Sequence, residues 1–117
     1  MAKNFIQPGY VVPVTAPRAV KSGELVVVGV LAGVAQFDAA SGARVEIDTV
    51  GVYQLAKTSA QAWTEGAAIY AVPATGIATT AATAGNLMIG TAAAAAANPS
   101  GTGAVRLNGS APAAVTS

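Results

Sequence analysis

The chain has 117 residues, enough for one domain, and 53% of them are hydrophobic. Six Lys/Arg against five Asp/Glu leave a net charge of +1, spread singly, which gives no field to draw nucleic acid or an anionic membrane. Cysteine and histidine are both absent, which excludes a disulfide framework, thiolate chemistry and the commonest general base.

Alanine makes up nearly half of the hydrophobic fraction, and valine is the commonest of the larger apolar residues. The core is therefore expected to be thin and β-branched, as pleated surfaces prefer. Thirteen Gly and six Pro punctuate many short elements. So few charges solvate a lone domain poorly, which points to a surface covered by other protein.

Residues 1–10 read as an arm, with Phe5, Ile6 and Tyr10 around the turn signal Pro8-Gly9. They contain no apolar signal core. Val11 to Thr15 follow as a strand that Pro13 confines to an edge or to a short length. Ser22-Gly23 is a turn. Leu25 to Val30 is almost wholly apolar and reads as a strand buried on both faces, with a bulge or bend at Gly29. Val30 to Phe37 continues it or forms a second strand. The apolar run to Ala35 is too short to span a bilayer.

Asp38 to Gly42 is a loop. Arg44 to Asp48 alternates strictly, with Val45 and Ile47 on one face and Arg44, Glu46 and Asp48 on the other. Gly51 is expected to break this strand, and Val52 to Lys57 to form the next. Thr58 to Trp63 could form one helical turn, too short to stand alone. Ala67 to Val72 is a strand, Pro73 to Gly76 a turn, Ile77 to Thr80 a strand and Ala84 to Asn86 a turn.

The run from Ala92 to Ala97 has the best helix formers available, yet six residues fall short of the ~12–15 at which an isolated helix becomes marginal. Leu87 to Ala96 is therefore read as one long strand, paired antiparallel with 104–108 across the loop Asn98 to Gly103. Turn signals recur at the spacing of a sandwich or small barrel. The expected fold is all-β: a small single-domain barrel or sandwich of short antiparallel strands.

Little chemistry is available. Glu46 and Asp48 share a strand face and could form an acid pair, but the alternation favours a solvated outer face beside Arg44. Trp63 and Tyr70 could stack on a sugar, although such residues more often anchor a core or an interface. No phosphate-binding loop occurs. A non-enzymatic interaction module without cofactor or metal is the reading from residues alone.

The opening Met1 to Gly9 resembles the start of the tailed-bacteriophage capsid cement, or decoration, proteins, formerly a phage domain of unknown function. The likeness continues through Ala16-Pro-Arg-Ala-Val20, the Val-rich run to Ala35, Asp38 to Gly42, Val45-Glu-Ile47 and Gly51 to Lys57. Gln61 to Gly66 with Ile69-Tyr70, then Ile89-Gly90, the alanines and Val105 to Gly109, resemble its later blocks. The alanine run is longer and plainer than the family pattern, and residues 110–117 form an extra Ala/Pro/Ser/Thr tail.

The resemblance implies a structural virion protein, made in the host bacterial cytoplasm, that binds the outer surface of a phage head. It implies the major capsid protein as partner and a homo-oligomer, a trimer before a dimer, with neither nucleic acid nor membrane bound. A carbohydrate-binding, adhesin-like module is the alternative. The expected organisation is an arm at 1–10, a β domain at 11–109 and a flexible tail at 110–117. The residues expected at protein contacts are Phe5, Ile6, Gln7 and Pro8 of the arm, Trp63, and Ala92, Ala94 and Ala96.

Overall fold

The computed structural model describes residues 10–108, which contain nine strands and no helix. In chain order they are β1 (Val11–Thr15), β2 (Leu25–Val28), β3 (Leu31–Ala35), β4 (Arg44–Asp48) and β5 (Val50–Ala56), then β6 (Ala68–Val72), β7 (Ile77–Thr79), β8 (Leu87–Ala92) and β9 (Thr102–Asn108). They form two antiparallel sheets, ordered β1-β4-β3-β2 and β5-β9-β8-β6-β7. The second sheet curls into a half-barrel. Its outer strands meet where Lys57 bridges Ala78 and the Thr58 N–H donates to the Ala78 carbonyl at 3.0 Å. The all-β expectation holds. The residues read as an arm and a tail lie, Tyr10 apart, outside the described residues.

Two cores follow from the alternation of side chains. One lies between the sheets: Leu25, Val27 and Val34 pack there against Leu55, Trp63, Ile69, Val105 and Leu107. The other belongs to the four-stranded sheet and holds Val14, Val20, Val26, Ala35, Val45 and Ile47. β2 serves both, so its unbroken apolar run is explained by burial on two faces. Gly29 is not a bulge. It opens the two-residue hairpin that joins Val28 to its partner Leu31, at φ 62, the sign that tight hairpin turns demand.

β1 is an edge strand, as Pro13 required. Tyr10 O accepts from Thr49 N at 2.7 Å, and Ala16 N donates to Ala43 O at 2.8 Å. Even-numbered residues therefore bond toward β4, and alternation turns the Pro13 nitrogen to the open side. No ladder bond is lost, and the edge presents one donor fewer to a stray strand.

Several boundaries differ from the sequence reading; β9, for one, starts at Thr102, inside the stretch read as a loop. The break after β4 falls at Thr49, not Gly51, which lies inside β5. Residues 58–63 form a turn and a bridge, not a helical turn. β8 stops at Ala92, so the alanine run is not one long strand. Ala93 keeps one bond to Ala104 O at 2.9 Å, then the chain bends and Ala96 pairs with Trp63.

A polar contact between Tyr53 and Asp48 ties the junction between the sheets. The Tyr53 hydroxyl donates to Asp48 Oδ2, while Asp48 Oδ1 accepts from Val50 N at 3.2 Å. The bond to the carboxylate comes first, then burial and the carboxylate's charge, in raising the phenol above its ordinary value; a side-chain hydrogen bond with Gln36 acts the other way. A raised folded value means that this contribution is complete below about pH 10 and is lost as pH climbs through the folded titration. Tyr53→Phe should lower stability at neutral pH by about 1.5–3 kcal/mol, as for a hydrogen bond to a charged group. Urea unfolding should show that gap at pH 7 and a much smaller one above the phenol's titration.

Candidate functional site

The acid pair does not assemble as a catalytic dyad. Glu46 is exposed on β4, while Asp48 is engaged by Tyr53 and Val50. Two open clefts, about 400 and 320 Å³, share Arg18 and Glu24 in their walls. Those two side chains are already joined at 3.3 Å, and Arg18 Nη2 donates to Leu25 O at 2.9 Å. The Ser22 hydroxyl in the second cleft donates to Gln36 O at 3.5 Å. No group of three metal-ligating side chains and no helix long and apolar enough to cross a membrane occurs among the described residues.

Trp63 is 2% exposed, so it offers no ring face to a sugar and is absorbed by its own core. It packs tightly against Gly103, where an added Cβ would fall 2.7 Å from ring atom Cε3. Lys57 Nζ lies 5.7 Å from the ring centroid, donating to Thr58 O at 2.9 Å and Ser100 O at 3.3 Å. The indole N–H has no hydrogen-bond partner among the described residues.

The remaining contact candidates scatter. Phe5, Ile6, Gln7 and Pro8 lie outside the described residues. Ala92 is buried in the core between the sheets, and Ala96 is half-buried, paired through both backbone groups with Trp63 at 2.9 and 3.0 Å. Ala94 is exposed at the bend. The structure thus brings Trp63 and Ala96 together and leaves Ala94 facing solvent.

The outer face of the five-stranded sheet carries a continuous row of side chains. Val105 and Leu107 are buried, so Arg106 between them points outward. The register sets Arg106 between Val52 and Thr91, with Ala68 beyond, in one row across four strands. Met88 and Tyr70 pair beside that row. Val52 is 59% exposed and Met88 39%. No sequence pattern singles out this face, because alternation marks it only as the side away from the core.

The family model described as phage cement protein matches residues 6–107. No curated protein and no solved structure matches.

The Trp63 pocket makes a stability prediction. Trp63→Ala should cost about 3–5 kcal/mol, as large-to-small changes in a core do. Gly103→Ala should cost about 1–3 kcal/mol by overpacking against the ring. Thermal unfolding followed by circular dichroism measures both, and near-native midpoints would show that the contact is not tight.

Proposed function

The chain belongs to the phage cement protein family, and from that premise we propose that it binds the outer surface of a phage head and clamps neighbouring major capsid subunits. The single observation carrying this is the match, which runs through nearly all the described residues. A protein that binds the assembled lattice and not its free subunits stabilises the shell by linkage. A trimer is the proposed oligomer, since a cyclic trimer fits the local three-fold positions of a shell; a dimer on two-folds is the alternative. An oligomer bridging several subunits gains from effective concentration without needing one large contact.

Contacts are proposed for Phe5, Ile6, Gln7 and Pro8, and the large apolar side chains of Phe5 and Ile6 suit addition of an extended segment to a neighbouring subunit. Within the alanine run the proposal narrows to Ala94, the contact candidate that faces solvent. Small side chains there let another backbone approach closely. The carbohydrate-binding alternative loses its platform with the burial of Trp63.

The purified protein should co-sediment with shells of the major capsid protein at a fixed copy ratio and raise their disassembly temperature. Shells whose disassembly is unchanged at saturation would contradict the proposal. Ala94→Arg should weaken co-sedimentation while leaving the circular-dichroism spectrum intact.

A further inference from the structure

The charges of this protein are divided unequally between its halves. Residues 10–49 carry seven charged side chains, and residues 50–108 carry three: Lys57, Glu65 and Arg106. Lys57 is buried and Glu65 sits in the turn before β6. The five strands of the second sheet contain no acidic residue and a single cation, Arg106.

That cation is also unanswered. Arg18 bonds to Leu25 O and Glu24, and Arg44 to Pro13 O and Thr15 Oγ1 at 3.4 Å. Arg106 makes no hydrogen bond or ion pair among the described residues. It stands beside exposed Val52, with Met88 and Tyr70 near it on the same face. Arg, Met and aromatic residues are enriched in protein interfaces, whereas Lys, Asp and Glu are depleted. A guanidinium covered by a partner must have its water replaced, and a carboxylate does so with charge as well as with hydrogen bonds.

We propose that the outer face of the five-stranded sheet is the surface applied to the capsid, with Arg106 at its centre paired to a carboxylate of the major capsid protein. The four-stranded half, which carries most of the charge, then faces solvent. This rests on the capsid-binding reading and adds which face docks. Two-fold self-pairing through the same face is disfavoured: it brings Arg106 toward Arg106 with no acidic residue on the strands of either copy, and like charges oppose such an approach.

The test compares wild type, Arg106→Glu and Lys21→Glu in sedimentation with purified capsid shells, alongside solution mass and thermal midpoint. Lys21→Glu makes the same charge change on the exposed four-stranded half. Arg106→Glu should weaken shell binding about 30-fold or more, the factor that ~2 kcal/mol represents, with its midpoint kept. Lys21→Glu should bind as wild type does. Val52→Asp, on the same row, should also weaken binding. Three results overturn the inference while leaving capsid binding intact: Arg106→Glu binding like wild type, both charge reversals weakening binding equally, or Arg106→Glu altering only the solution mass, which would make the face a contact between copies. Failure of the wild type itself to bind removes the capsid reading and this inference with it.

Discussion

Strand β2 buries both of its faces, and the rest of the fold depends on that. Leu25 and Val27 enter the core shared with the five-stranded sheet, while Val26 between them enters the core of its own sheet. A chain with few large side chains cannot fill one thick core. It fills two thin ones and makes one apolar strand serve both. Each buried valine or leucine contributes about 1.5–3 kcal/mol, so consecutive burial at 25, 26 and 27 ties the two halves together through a handful of residues. The Tyr53–Asp48 bond at the junction of β4 and β5 adds a directional tie where apolar packing alone would leave the halves free to shift.

Parts of this were legible in the sequence, for physical reasons that differ by element. Arg44 to Asp48 could be read residue by residue because one face is in a core and the other in water, so burial and polarity alternate together. β2 could be read because no polar residue interrupts it. The end of β8 could not. Alanine fits inside or outside, in strand or in bend, and the bend after Ala92 is set by the pairing of Ala96 with Trp63, whose own partner Gly103 lies forty residues further on. Trp63 itself was ambiguous between core and contact because a lone aromatic has no periodic neighbours to declare its side. The break at Thr49 depends on the Asp48 side chain capping Val50 N, a contact that no propensity encodes.

The candidate surface was the least legible part. Arg106 sits at an alternating position, which by pattern alone means solvated. Its isolation appears only when the strands are assigned to sheets, since the other charges of the chain then gather on the other half or off the strands. Membership of the cement family and this division of charge bear on each other. A protein that lives on a particle surface has one side to keep wet and one side to cover, and a monomer built for solvent alone has no need of that difference.

Hydroxyl-radical footprinting of the protein, free and bound to capsid shells, reads this division side chain by side chain. Met88 and Tyr70 lie on the outer face of the five-stranded sheet, and Phe37, 45% exposed, lies between β3 and β4 on the other half. The account predicts that oxidation of Met88 and Tyr70 falls sharply on the shell while Phe37 reacts as in the free protein. Protection of Phe37 with Met88 and Tyr70 still reactive would contradict it.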